Sequence, residues 1–302
     1  MNSRGVAVDA PGKINLVLRV LDRRPDGYHD LWSIMQAIDL ADTVEAEVDG
    51  GAPGIRFFCE GADLPTDARN LAYRAAERVL TQVERPGGIR LVLRKRLPVA
   101  AGVGGGSSDA AATIRALAIL FDTGWSRADM AALGQAIGSD VPFFFFGPTA
   151  LVEGRGERVL PLHLEGGGWL VLVNPGIAIS TAWAYARLAA SRTGEEPGQP
   201  FRPPLLFSTQ EPDTPPAVKW SDLLALAAND FAPVMEREYP VLGDVRRLLL
   251  DRGAQAAMLS GSGSTVFGVF PSESAARGAA EGLDRRSGWR VWVTQTRSVP
   301  CR

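Results

Sequence analysis

Cysteine and histidine are almost missing from this chain of 302 residues, which holds only Cys59, Cys301, His29 and His163. Two cysteines so far apart, with no C-x-x-C, build neither a disulfide framework nor a zinc or thiol-redox motif, and they suit a reducing compartment. Two histidines leave little for an imidazole metal site or a Ser-His-Asp triad. A metal here would be held by oxygen, as Mg²⁺ is when it rides on nucleotide phosphates. There is no run of about 18 apolar residues to cross a membrane, and the opening MNSRGVAVDAPGKINL lacks the apolar centre of a secretory signal. A cytoplasmic protein without a membrane partner is expected. The formal net charge is -2 with 22% charged residues, and Lys and Arg are scattered, so there is no basic field to attract nucleic acid.

Glycine is present in force, with 33 residues, and the stretch LPVAAGVGGGSSDAAA at Leu97–Ala112 concentrates it. Gly102, Gly104, Gly105 and Gly106 lie between an alternating apolar segment, Ile89–Leu93, and a helical pattern that begins after Ser107 and Ser108. Glycine lets backbone N–H groups turn inward at positive φ, and a helix start adds unpaired donors and a positive dipole end. Such a loop suits an anion, phosphate above all. The serine hydroxyls could cap the helix, reach a phosphate oxygen or face a metal. No Lys follows the glycines as in a Walker loop, and Ser107 stands where a dinucleotide fingerprint needs its third glycine.

The length suits two domains. Val6 and Val8 suggest a short strand; after Pro11, Ile14–Val20 alternates as a second, half-buried one that carries Lys13 and Asn15. Alone, Lys13 reads as a solvated surface lysine. Pro25, Asp26 and Gly27 form a turn from which Tyr28 and His29 emerge. Val44, Ala46 and Val48 alternate with acids, as in a strand with one exposed face. Leu71, Ala75, Val79 and Val83 give an amphipathic helix over Asn70–Val83. The helix after the glycines is expected to stop at Gly124, and Ser126 with Asp129 forms a capping box for another that ends at Gly138. Asp140, between that helix end and an apolar run of four phenylalanines, is a candidate base as well as a candidate turn aspartate. A strand pair at Ala150–Val152 and Val159–Leu162 closes the first half.

In the second half, Trp169–Val173 reads as a buried strand, and Ser180 or Thr181 caps a helix carrying Trp183 and Tyr185. Residues 191–218 contain seven prolines and no period, an irregular excursion. Two helices are expected between Trp220 and Arg252. Strands at Ala256–Leu259 and Val266–Phe270 then flank a Ser-Gly turn, most simply a hairpin without a ligand. Ser272 caps a helix, and Arg290–Thr296 forms a last strand. That order is the split βαβ arrangement of a ferredoxin-like domain.

Taken together, PGKINLVL at Pro11–Leu18, RPDGYHDL at Arg24–Leu31, the glycine stretch, GSDVPFF at Gly138–Phe144, NDFAPV at Asn229–Val234 and LSGSGSTVF at Leu259–Phe267 resemble the GHMP small-molecule kinases over nearly the whole chain. The resemblance implies an α+β, two-domain fold. Residues 1–163 would form a ribosomal protein S5 domain 2-like, ATP-binding domain with a left-handed crossover, and residues 164–302 the ferredoxin-like domain. It implies ATP-dependent phosphorylation of a small alcohol, with KIN and PDGYH pointing to a polyol carried on cytidine diphosphate. Homoserine or mevalonate as acceptor, or a non-catalytic ligand-binding protein, are the alternatives. Carried over residue by residue, Pro98, Val99, Ala100, Ala101, Gly102, Val103, Gly104, Gly105, Gly106, Ser107 and Ser108 form the phosphate loop. Asn70 and Lys95 lie near the adenosine, and Asn15, Tyr28 and His29 contact the cytidine substrate, with Thr181 and Tyr185 on its other side. Lys13 and Asp140 form the catalytic pair, Asp140 as base and Lys13 as its electrostatic partner. Mg²⁺ is expected to bridge the ATP phosphates, with Ser108 as a candidate ligand. Gly12 stands where the family usually has Ala, a change expected to be tolerated, and the proline-rich stretch carries no assigned role.

Overall fold

The structure, a computed structural model, describes residues 5–25, 27–50, 53–83, 88–192, 215–285 and 288–299. Asp26, Cys301 and most of the proline-rich stretch lie outside the described residues.

The two expected N-terminal strands are one. β1 (Gly5–Arg23) runs through Pro11 and pairs antiparallel with β2 (His29–Asp49), with register shifts between Pro11/Lys13, Asn15/Val17 and Val20/Arg23. The first shift falls where proline has no N–H to offer the ladder, so a local irregularity replaces a chain break. β3 (Gly54–Glu60), α1 (Leu71–Gln82) and β4 (Gly88–Arg94) follow, with β3 and β4 parallel neighbours across the helix. Asn70 caps α1, its side-chain oxygen accepting from the Ala72 N–H at 3.0 Å. Next come α2 (Gly105–Phe121), α3 (Arg127–Gln135), α4 (Phe143–Phe146), β5 (Thr149–Gly154) and β6 (Arg158–Pro161). The Ser126/Asp129 capping box of α3 is formed. α2 differs from expectation at both ends. It begins at Gly105, before the serines, capped by Gly104 at φ 70 with no side-chain bond, and it ends at Asp122, itself left-handed at φ 51, before Gly124 is reached.

Beyond lie β7 (His163–Glu165), β8 (Trp169–Asn174), α5 (Thr181–Ser191), β9 (Ala217–Lys219), α6 (Trp220–Ala225), β10 (Ala228–Asn229), α7 (Ala232–Glu238) and α8 (Pro240–Asp251). Then β11 (Ala256–Leu259), β12 (Val266–Phe270), α9 (Glu273–Ala280) and β13 (Arg290–Gln295) complete the described chain. Where two helices were expected after Trp220 there are three, because β10 interrupts the run to pair in parallel with Val17 and Leu18 of β1, and Pro240 opens a new helix. The first sheet has the order β10-β1-β2-β4-β3, with β5 on β2 and β6 on β5. The second, β11-β12-β8-β13, is antiparallel throughout, the ferredoxin-like order expected.

Three apolar clusters hold these layers. One packs α1 and α2 on the first sheet, and a second packs α5, α7, α8 and α9 on the second sheet. The third lies between the sheets, where Ile14, Leu16, Trp32 and Ile34 meet Leu170, Leu172, Phe267 and Val269. β1 is therefore buried on both faces from Ala10 to Leu18, not half-buried as its alternation suggests. Each such side chain contributes roughly 1.5–3 kcal/mol on full burial, so the contact between the halves is a core.

Candidate active site

The glycine loop spans the gap between β4 and α2, and its backbone is held from both sides. The Gly102 carbonyl accepts from Lys13 Nζ at 2.9 Å and from Ser260 Oγ at 2.9 Å, and the Thr265 N–H donates to the Ala101 carbonyl at 3.1 Å. Gly102 has φ +77, and a Cβ there would lie 2.0 Å from the Ser260 carbonyl oxygen. The Ser-Gly turn expected to be a plain hairpin thus braces the loop, backbone against backbone. Asn229 secures it in turn, Nδ2 donating to the Leu259 and Gly261 carbonyls at 2.7 and 2.8 Å. α2 opens its N-terminus toward the cavity, bringing unpaired N–H groups and the positive dipole end.

Lys13 is 3% exposed, no surface lysine. Its Nζ donates to Asn15 Oδ1 at 2.6 Å and to Gly102, and lies 3.7 Å from Asp140 Oδ2. Asn15 Nδ2 donates to Ser33 Oγ at 2.8 Å, so both ends of the amide are engaged and the ammonium is aimed by a fixed partner. Burial pulls the Lys13 pKa below its ordinary value, and the Asp140 carboxylate works the other way. Gly12 leaves room for the start of the loop, since a Cβ there would meet Leu97 Cδ2 at 2.7 Å, the flexible tip of a side chain.

A cavity of about 560 Å³ gathers Lys13, Asn15, Asn70, Lys95, Asp140, Thr181, Tyr185 and the loop from Pro98 to Ser107 except Val103. Val103 and Ser108 are buried outside its lining; the Val103 carbonyl accepts from the Lys13 N–H, and Ser108 Oγ has no hydrogen-bond partner. Tyr28 and His29 do not line the cavity either. Tyr28 is 54% exposed with the Arg155 guanidinium 3.6 Å from its ring centre, while His29 stacks on Tyr185 at 5.3 Å and 18°. Burial first, then Arg23 and Arg192, lower the His29 pKa. Burial raises the Tyr185 phenol, with the Asp140 charge adding to it. Lys95 lines the cavity, yet its ammonium donates to Asp42 and Asp109, at 2.5 and 2.7 Å.

Sequence reasoning missed Asp42 and Asp109 altogether. Asp109 follows Ser108 directly and was within reach of the motif, but Asp42 has no local signal that separates it from the exposed acids of β2. Arg69, Phe231 and Ser262 also line the cavity, and the hydroxyls of Ser262 and Thr181 are 3.3 Å apart.

Residues 70–148 match the family profile described as GHMP kinases N terminal domain, and residues 217–288 that described as GHMP kinases C terminal. A 4-diphosphocytidyl-2-C-methyl-D-erythritol kinase of Geobacter metallireducens is 42% identical over 288 residues, covering 95% of this chain and 97% of that one. The chain belongs to the GHMP kinase family. A protein of the same description from Heliobacterium modesticaldum is 40% identical to this GHMP kinase, covering 95% of this chain and 94% of that one. Among solved structures, a 4-(cytidine 5'-diphospho)-2C-methyl-D-erythritol kinase superposes with a TM-score of 0.74 at 33% identity, covering 97% of this chain and 100% of that one. A homoserine kinase from Cytophaga hutchinsonii, at TM-score 0.70 and 19% identity over 99% of this chain and 97% of its own, shares the fold. No helix among the described residues of this GHMP kinase is long and apolar enough to cross a membrane.

Proposed function

We propose that this chain transfers the γ-phosphoryl group of ATP to the 2-hydroxyl of 4-diphosphocytidyl-2-C-methyl-D-erythritol, a step of the non-mevalonate route to isoprenoid precursors, and that it works in the cytoplasm. The observation that carries the reading is the approach of Lys13 Nζ and Asp140 Oδ2 to 3.7 Å beside the glycine loop, in one cavity with Tyr185 and Thr181. The identity to the Geobacter metallireducens kinase over 95% of the chain supports the choice of acceptor.

Phosphoryl transfer asks for position and charge compensation more than for covalent help. The loop N–H groups and the α2 dipole hold the phosphates. Asp140 takes the proton of the attacking hydroxyl, and Lys13, fixed by Asn15 and Gly102, stabilises the oxygen anion as it forms. Asn70 and Lys95 belong to the adenosine side. Thr181 and the His29/Tyr185 stack form the cytidine side, with Tyr28 at its rim. The ATP-binding unit is residues 1–163 and the ferredoxin-like unit residues 164–302.

Mg²⁺ would neutralise phosphate charge. The buried, unpartnered Ser108 hydroxyl fits one protein ligand to an ion carried on the nucleotide. The test is ATP consumption with a panel of alcohols. Turnover is expected with the cytidine-linked polyol, and comparable kcat/KM with homoserine or mevalonate would overturn the assignment.

A further inference from the structure

A second cavity, of about 320 Å³, shares no lining residue with the catalytic one. Its walls come chiefly from the start of α3 at Arg127, the link from α4 to β5, the link from β6 into β7, and Arg297 with Ser298 after β13. Backbone bonds hold these parts together. The Pro148 carbonyl accepts from the Ala37 N–H at 2.6 Å, and the Thr149 carbonyl from the Leu162 N–H at 2.9 Å. Arg297 is anchored through both its backbone groups, its N–H donating to the Ala37 carbonyl at 2.9 Å and its carbonyl accepting from Gln36 Nε2 at 2.9 Å. Gln36 Oε1 in turn accepts from Thr149 Oγ1 at 2.6 Å. So firmly bonded a frame makes the cavity a preformed feature of the fold.

Its lining is one-sided in charge. Among the described residues that line it there is no Asp or Glu, while Arg127, His163 and Arg297 bring three basic side chains. The Arg297 side chain is only 14% exposed, and its Nε is buried without a hydrogen-bond partner. Its one ion pair among the described residues, to Asp9 Oδ2, is long at 3.7 Å, and that carboxylate is itself mostly exposed. A buried guanidinium N–H left unmet is costly and calls for an acceptor. The side chains of Arg127 and His163 make no hydrogen bond or ion pair among the described residues. Phe146, Pro148, Leu162 and Leu164 supply an apolar wall beside these donors.

We propose that this cavity binds a small organic phosphate, its head held by Arg127 and Arg297 with the His163 ring as a further donor, and its short hydrocarbon body against the apolar wall. Two guanidiniums balance the two charges of a phosphate monoester, and their planar forks of N–H donors match its oxygens. A carboxylate would compensate only one of them. The volume stands near the small end of the roughly 300–1,000 Å³ usual for ligand sites, which suits a phosphate on a few carbons better than a nucleotide.

The test is a calorimetric titration of the intact protein with n-butyl phosphate, in excess ADP to occupy the phosphate loop. One equivalent is expected to bind, and inorganic phosphate to bind at least about 10-fold more weakly, since each buried methylene is worth roughly fourfold. Arg127→Gln and Arg297→Gln are each expected to weaken n-butyl phosphate by about 10–100-fold. Arg78→Gln removes the same charge from an exposed position on α1 and is expected to bind as wild type does. Turnover by Arg127→Gln should stay at the wild-type level, because Arg127 does not line the catalytic cavity. Absence of saturable binding, wild-type affinity in Arg127→Gln, or an equal loss in Arg78→Gln would each overturn the site. Inorganic phosphate binding as tightly as n-butyl phosphate would overturn the ligand class. Arg127 is exposed, so its variant decides the matter alone if Arg297→Gln does not fold.

Discussion

Gly102→Ala is the sharpest single test of how the loop is held. At φ +77 an L side chain costs about 1 kcal/mol in strain. The added Cβ would also sit 2.0 Å from a backbone oxygen of Ser260, and ordinary contact begins at 3.4 Å. One of the two backbones has to retreat by roughly 1.4 Å, an overpacking that costs about 1–3 kcal/mol. The Gly102 carbonyl moves with it, and that carbonyl anchors both Lys13 and Ser260. Misplacing a reacting group by about 1 Å costs on the order of 100-fold in rate. The expected result is a loss of about 2–4 kcal/mol in stability with kcat/KM down about 100-fold, measured by denaturant melts and by a coupled ADP-release assay. Gly124→Ala supplies the control, because Gly124 has φ +67 and nothing within 4 Å, so it carries the strain without the contact. It is expected to lose about 1 kcal/mol and no activity. If Gly102→Ala behaves like Gly124→Ala in both assays, the idea that the Ser-Gly turn positions the loop is wrong.

Asp140→Asn is expected to lower kcat by about 10²–10⁴-fold with ATP affinity nearly unchanged; full turnover by this variant would remove Asp140 from the role of base. Because burial sets Lys13 below its ordinary 10.5, its ammonium is lost early as pH rises, and kcat should fall along an alkaline limb with its midpoint below 10.5. The unfolded chain then binds more protons than the folded one in that window, so Lys13's contribution to folding stability rises with pH there. A limb centred at or above 10.5, followed by stopped assays with pH jumps, would contradict this. Tyr185→Ala should raise KM for the cytidine-linked substrate while KM for ATP stays close to wild type, and Tyr28→Ala, at the rim, should do the same more weakly. An equal loss for both substrates would move these rings off the cytidine side.

Much of the site was legible because its chemistry is local. The Leu97–Ala112 stretch spells strand exit, glycines and helix start, and PDGYH and KIN narrow the family further. Conformation inside the motif was less legible. The first turn of α2 includes Gly105 and Gly106 because Gly104 takes the left-handed cap, so the serines that resemble caps lie within the helix. The burial of Lys13 was invisible, since it depends on the glycine loop, 89 residues away at Gly102, and on Asp140 beyond it. Distance along the chain also hid β10, whose two residues read as a helix interior until β1 offers them an edge. Asp42 looks like any acid of an alternating strand and becomes a loop anchor only once Lys95 and the N–H groups of Arg96 and Leu97 converge on it.

The two-residue strand Ala228–Asn229 has a consequence for how the molecule comes apart. It belongs by sequence to the second half and by pairing to the first, and the next residue, Asp230, accepts from Arg19, Arg192 and the Val20 N–H. Calorimetric heating should therefore give one endotherm, and amide protons of residues 228–230 should exchange only as slowly as global opening allows. Polypeptides severed near residue 163 would each expose an unmatched surface, and mixing them should restore by complementation what neither fragment holds alone.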